Sequence, residues 1–426
     1  MGRCPGCGEW GTLVEEATTR SAAAPSASSA APVRLGDIAQ DGEERVPTGV
    51  PELDRVLGGG LVPGSLVLIG GEPGIGKSTL VMQALAHLSI ASRVLLVTGE
   101  ESPKQVRSRA QRLTGDCSGV EVAAETRLQS VVGLIESGQY AVCAVDSVQT
   151  LASDTLDGAP GTVGQVREAA AELLRAAKST GVTVILVGQV TKDGALAGPR
   201  LLEHLVDCVV SFDGEDGRVH RILRATKNRF GSTNEVGVLE MRPDGLVSVD
   251  DPASVWLAEA GERVGSCVFP VLEGSRALLV EVQALVGPTE AVPPRRVAVG
   301  VDRTRLAQVI AILTRHAGLR LGDQDVFVSV AGGARALEPA ADLAIALAVA
   351  SAHRDRPLGA GTIAFGELGL TGGLRPVAGE ERRLAAASAR GLKCAIIPDS
   401  AQVTPGTTKM SVVGVAAIRA ALDAAF

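Results

Sequence analysis

The chain has 426 residues, 46% hydrophobic and 21% charged, with 48 acidic against 41 basic side chains and a formal charge of −7. This composition excludes a disordered or fibrous protein, leaves room for two or three domains, and means that any binding of nucleic acid must come from a local basic strip. No apolar run reaches the ~18 residues of a membrane helix and no secretory signal opens the chain, which points to the cytoplasm and to no membrane partner.

In chain order, residues 1–15 hold one Cys-x-x-Cys turn, Cys4-Pro5-Gly6-Cys7, which forms half a zinc ribbon. The second pair that a tetrahedral site needs is missing. Either the native start lies upstream or the zinc site has been lost, and Cys4 and Cys7 remain candidate zinc ligands. The seven cysteines are otherwise scattered and argue against a disulfide framework; Cys117, Cys143 and Cys208 read as small buried hydrophobes. Residues 16–34, mostly Ala, Ser, Thr and Pro, read as a flexible linker.

Residues 35–250 alternate between strand and helix patterns. The run 66–69 is apolar throughout, as expected of a strand buried on both faces of a parallel sheet. Further strands are expected at 94–102, 140–147 and 181–190, with an Ala-rich helix at 165–178. Such a series specifies an α/β fold with a doubly wound parallel sheet and ligands at the carboxyl ends of its strands. Residues 251–426 read as a second α/β domain, with strands at 276–286 and 325–333 and helices at 306–316 and 339–353, the last apolar over most of its surface.

Chemistry concentrates after the first strand. Gly71-Glu72-Pro73-Gly74-Ile75-Gly76-Lys77-Ser78, followed by Thr79 and a helix over 79–88, matches G-x-x-x-x-G-K-[ST] in the strand-loop-helix setting that the motif requires. The glycines let backbone N–H groups converge on phosphate oxygens, Lys77 neutralises the β- and γ-phosphates of ATP, and Ser78 ligates Mg²⁺. Asp146, after an apolar strand, reads as the acid that holds Mg²⁺ directly or through its water, the alternative being an aspartate that caps the next helix. Ser147 stands where many such enzymes carry the water-activating glutamate, so the base has to come from elsewhere; Glu100 is preferred to Glu101. Gln189, one strand further on, is placed to sense the γ-phosphate.

Two glycine-rich loops at the sheet's mouth carry sparse cations, the first leading to Arg167 and the second holding Lys192 and Arg200, and they read equally as solvated loops or as a track for a phosphate backbone. Lys227-Asn228-Arg229-Phe230-Gly231 falls between two strand-like segments. Its basic pair reads either as solvated side chains or as a finger reaching a neighbouring subunit's nucleotide. In the second domain Glu338, Ser351, His353, Glu367 and Glu381 show no catalytic spacing and read as structural.

Several stretches together resemble the bacterial DNA repair RadA (Sms) family: GRCPGCGEWGTLVEE, GGGLVPGSLVLIGGEPGIGKSTL, VTGEES, VTKDGALAGPRLLEH, ATKNRFG and EPAADLAIALAVASA. The likeness runs through nearly the whole chain in order. It implies a RecA-like ATPase core followed by a Lon-protease-like domain, acting on single-stranded DNA and branched recombination intermediates, alongside a recombinase. It further implies a homo-oligomeric, hexameric ring driving branch migration, with Lys227 and Arg229 acting at the subunit interface and Arg167, Lys192 and Arg200 contacting DNA. Two departures stand out. The four-cysteine zinc finger of the family is only half present. Where Lon-type proteases carry a nucleophilic Ser and a Lys, the similar positions here are Ala340 and Glu381, so peptide hydrolysis is not expected. The competing readings are an ATP-dependent protease and a non-translocating nucleotide switch.

Overall fold

The computed structural model describes residue 34 and residues 45–189, 202–214, 219–249, 263–331, 335–404 and 408–426. Cys4, Cys7, Lys192, Arg200 and all of the proposed linker except Arg34 lie outside the described residues. Glu43–Phe426 form one compact unit.

Its first sheet has nine strands. They are β1 (Leu66–Gly71), β2 (Val94–Thr98), β3 (Val120–Ala124), β4 (Val142–Asp146), β5 (Thr183–Gln189), β6 (Cys208–Asp213), β7 (His220–Asn228), β8 (Val236–Arg242) and β9 (Gly245–Ser248), in spatial order β3-β2-β4-β5-β1-β6-β7-β8-β9. The first six run parallel, in agreement with the expected parallel sheet, although only β1, β2, β4 and β5 were among the expected strands and β3 and β6 were not. The last three add an antiparallel extension that the sequence reading did not foresee. Connections such as the two-residue β8–β9 turn are too short for a crossover, so these strands can only fold back on one another.

Helices α1 (Pro51–Leu57), α2 (Lys77–Leu88) and α3 (Pro103–Ala110) cover one face of this sheet, and α4 (Leu128–Glu136) and α5 (Val163–Thr180) the other. β1 serves both cores: Val67 and Ile69 pack toward α2, Leu66 and Leu68 toward α5. That is why its apolar run is unbroken. β2 ends earlier than expected, at Thr98, where the Glu101 N–H turns back to Thr98 Oγ1 at 3.1 Å and Ser102 caps the following helix, α3.

The second sheet has the order β12-β13-β11-β10-β14-β17-β18. Its strands are β10 (Ser266–Glu273), β11 (Arg276–Pro288), β12 (Arg296–Val299), β13 (Gln324–Val330), β14 (Thr362–Ala364), β17 (Cys394–Pro398) and β18 (Ser411–Val415); β15 (Glu367–Leu368) and β16 (Leu374–Arg375) pair separately. Around it lie α6 (Arg303–Ala317), α7 (Asp342–Arg354), α8 (Glu380–Ala389) and α9 (Ile418–Ala425). The expected helix at 339–353 begins as a 3₁₀ turn, Pro339–Ala341, and becomes α7, whose residues from Asp342 to Ser351 are all buried. A helix apolar over most of its surface requires this central position.

Candidate functional site

The phosphate loop joins β1 to α2. Two of its glycines are dictated by close approach: a Cβ on Gly71 would lie 2.4 Å from the Phe212 carbonyl oxygen, and one on Gly76, at φ +113°, 2.5 Å from Met241 Cε. Lys77, 6% exposed, opens α2 and donates from Nζ to the carbonyls of Gly71 and Glu72, 2.8 Å each. Burial lowers its ammonium pKa, while the carboxylates of Asp146 and Glu100 oppose that shift. The lysine therefore sits in the field of both acids.

β2 and β4 are neighbours, with Thr98 level with Asp146, so Asp146 and Glu100 emerge side by side. Buried Ser147 donates from Oγ to Glu100 Oε1 at 2.9 Å. Glu101 turns away, into a 2.9 Å ion pair with Arg109. Gln189 ends β5 level with Gly71. Lys77, Glu100, Asp146 and Gln189 are thus gathered at the carboxyl ends of β1, β2, β4 and β5. Sequence reasoning missed Arg221 of β7, whose Nε donates to the Ile75 carbonyl at 3.2 Å and braces the loop. No local motif marks it.

The signature stretch lies elsewhere. β7 runs antiparallel to β6, which brings Asn228 level with Cys208 and hence with Val67, four residues before Gly71. At ~3.3 Å per residue this is about 13 Å below the phosphate loop, at the opposite ends of the parallel strands. Here the solvated reading of the basic pair needs correction. Lys227 Nζ donates to the carbonyls of Glu203 (2.6 Å) and Val206 (2.8 Å), and burial together with the Arg229 charge lowers its pKa. Arg229 bonds through its backbone N–H to the Asp207 carbonyl and through Nη1 to Asp207 Oδ1 at 3.2 Å, with its side chain still 53% exposed. Asp207, buried, also takes Lys178 and the Leu66 N–H. Phe230 packs under the Lys178 ammonium, 5.6 Å from its ring centre, and its N–H reaches Asn228 Oδ1. Gly231 follows in the exposed turn.

Arg167 is exposed on α5. The loop before that helix is stitched by the buried carboxamide of Gln165, which accepts from Ser153 N–H (2.7 Å) and donates to the carbonyls of Leu156 (2.8 Å), Ser153 and Gly158 (3.3 Å each). Its exposed side chains include Asp154 and Asp157, so this half of the expected cationic mouth is acidic.

In the second sheet's domain the polar residues have structural partners. Glu338 is held by Arg383, Ser351 Oγ bridges the Gly265 N–H and the Arg356 carbonyl, His353 Nδ1 meets Gln324 at 2.7 Å, Glu367 lies 3.9 Å from Arg375 and Glu381 accepts from Thr404. Ala340 is buried. Among the described residues no group of three or more His, Cys, Asp and Glu could hold a metal ion, and no helix is long and apolar enough to cross a membrane.

A phosphate loop ending a central parallel strand, with a buried lysine facing two acids, defines a RecA-like ATPase core, here followed by a Lon-protease-like α/β domain. The family model described as KaiC ATPase matches residues 46–128 and 121–250, and that of subunit ChlI of Mg-chelatase matches 296–401. The DNA repair protein RadA of Pseudomonas aeruginosa is 48% identical over 435 residues, spanning 100% of this chain and 95% of that one. Those of Bacillus subtilis and Escherichia coli are 46% and 44% identical, each over 99% of this chain and 94% of theirs. The RadB recombinase superimposes only loosely, with a TM-score of 0.38 at 21% identity over 48% of this chain and 99% of that one. The chain belongs to the RadA family of DNA repair proteins.

Proposed function

We propose that the protein is a DNA-dependent ATPase of recombinational repair, working as a homo-oligomeric, hexameric ring in the cytoplasm. It grips single-stranded DNA and drives branch migration of recombination intermediates beside a recombinase. The observation that carries this reading is the separation within one chain: Lys77, Glu100 and Asp146 meet at one end of the sheet, while Lys227 and Arg229 lie about 13 Å away at the other. A cation so placed cannot serve its own phosphate loop. In a head-to-tail ring it faces the next subunit's loop, completing that site as an arginine finger does.

Each residue then has a role. Lys77 exchanges its loop carbonyls for the β- and γ-phosphate oxygens. Glu100, oriented by Ser147, takes the proton of the attacking water, and Gln189 reads the γ-phosphate. The loop is open at Gly74, where a Cβ would meet nothing within 4 Å, and the buried Lys77 ammonium beside it supplies the charge that a triphosphate needs. Ser78 and Asp146 would hold the Mg²⁺ that neutralises phosphate charge. Arg167, with Lys192 and Arg200, supplies the contacts to DNA. The buried Ala340 and the engaged Glu381 leave the second domain without a peptidase pair, so it serves as an assembly and DNA-guiding scaffold.

The test is ATP hydrolysis with and without single-stranded DNA across a salt series. Stimulation that fades as salt rises is expected of phosphate-gripping loops. The exposed Asp154 and Asp157 favour the rival reading, a nucleotide switch that does not translocate, and hydrolysis indifferent to DNA at every salt concentration would establish that rival.

A further inference from the structure

Helix α1 buries an acid at its second position. Glu52 is only 4% exposed. Its Oε2 accepts the Val238 N–H at 2.8 Å and Arg276 Nη1 at 2.8 Å, and Oε1 accepts Arg276 Nη2 at 3.2 Å. Val238 belongs to β8, but Arg276 opens β11 of the Lon-like domain. The turn that carries Arg276 is fixed to the ATPase sheet on every side. Glu273 pairs with Arg224 at 2.7 Å, Ser275 Oγ donates to Glu235 at 2.8 Å, and Gly274, at φ +60°, lies so close that a Cβ would sit 1.9 Å from the Asn234 carbonyl oxygen.

The other end of α1 holds the signature turn. The Leu57 carbonyl accepts Arg45 Nη1 at 2.7 Å and Asn228 Nδ2 at 3.3 Å, and Arg45 Nη2 reaches the Phe230 carbonyl. Asn228 Oδ1 in turn accepts the Phe230 N–H at 2.9 Å, closing the turn on which Arg229 stands. A helix of seven residues spans about 10 Å and does not bend, so its two ends move together.

We infer that Arg276 of the Lon-like domain is a positioning residue for the signature turn: acting through Glu52 and α1, it sets where Arg229 is presented to the neighbouring subunit's phosphate loop. This rests on the reading of Arg229 as a cation acting in trans. The Lon-like domain then influences hydrolysis without contributing a group to the reaction.

The experiment measures kcat and KM for MgATP in the full-length oligomer, with thermal midpoints as a fold control, for Arg276→Ala, Arg276→Lys, Glu52→Gln, Arg229→Ala and the double variant Arg229→Ala/Arg276→Ala. Glu52→Gln keeps an acceptor for Val238 and the same shape, so it serves if Arg276→Ala does not fold. A finger displaced by an ångström predicts kcat lower by about 10- to 100-fold, with KM changed by less than about twofold and partial recovery in Arg276→Lys. In the Arg229→Ala background, loss of Arg276 should change nothing further. An equal fractional loss in both backgrounds, a rise in KM alone, or an unchanged kcat in a folded variant would each overturn the inference while leaving the action of Arg229 in trans standing. A wild-type rate for Arg229→Ala alone would remove both.

Discussion

Glu100→Gln isolates the assignment of the catalytic base. The substitution keeps an oxygen to accept the Ser147 Oγ–H, now at 2.9 Å, and removes only the capacity to take a proton. General-base catalysis contributes roughly 10²- to 10⁴-fold, so the barrier should rise by about 2.7–5.4 kcal/mol. ATP affinity should hold, because Glu100 does not belong to the phosphate cradle. The matched control is Glu101→Gln. Glu101 is engaged with Arg109 in a partly exposed ion pair, whose loss costs about 0.2–1 kcal/mol of stability and leaves kcat intact. Steady-state hydrolysis at saturating MgATP, beside titration of a fluorescent ATP analogue, reads both quantities. Undiminished turnover in Glu100→Gln, or a collapse in Glu101→Gln, would show that the base has been assigned to the wrong acid.

Three other outcomes are expected. Lys77→Ala should abolish hydrolysis in a protein with near-native far-UV circular dichroism, since the lysine's partners are loop carbonyls rather than the core; unimpaired hydrolysis would contradict its role. Arg305 holds Asp342, 2% exposed, with bonds of 2.9 and 2.7 Å, and burial raises that carboxyl's pKa above 3.8. A raised acid pKa gives stability that is present below the unfolded value and lost as pH rises through the folded one. Arg305→Met should therefore cost about 3–5 kcal/mol at neutral pH by chemical denaturation, and progressively less as the pH is lowered; a loss independent of pH would refute the pairing. Burial pushes the thiols of Cys143, Cys208 and Cys267 up to about 12. Mass-spectrometric mapping after brief alkylation of the native protein should find these three unmodified, and rapid labelling of any of them would contradict their burial.

How much of this was legible in the sequence follows from how local each signal is. The phosphate loop is a code of adjacent glycines, lysine and serine, and the strand and helix around it lie close to where periodicity puts them. Asp146 and Glu100 were legible because parallel strands end at one edge of a sheet. The antiparallel β7–β9 extension was not, because the choice of partner strand is a long-range property. Lys227 illustrates the same limit, since the carbonyls that hold it come from a turn some twenty residues away. Glu52 and Arg276 lie more than two hundred positions apart and neither carries a motif, so only the folded chain reveals the pair. Gln165 looks like a surface residue of an Ala-rich helix, yet its carboxamide shapes the loop beside it.

The central claim is that each site is completed by the next subunit, and mixing two complementary variants, one inactive and one reduced to residual activity, tests it most directly. Lys77→Ala lacks a working phosphate loop and keeps Arg229; Arg229→Ala has the reverse defect. Co-assembled in equal amounts, they should regain about a quarter of the wild-type ATPase rate, because a random ring places an intact loop against an intact arginine at that fraction of its interfaces. A mixture no more active than its separate components would contradict the account.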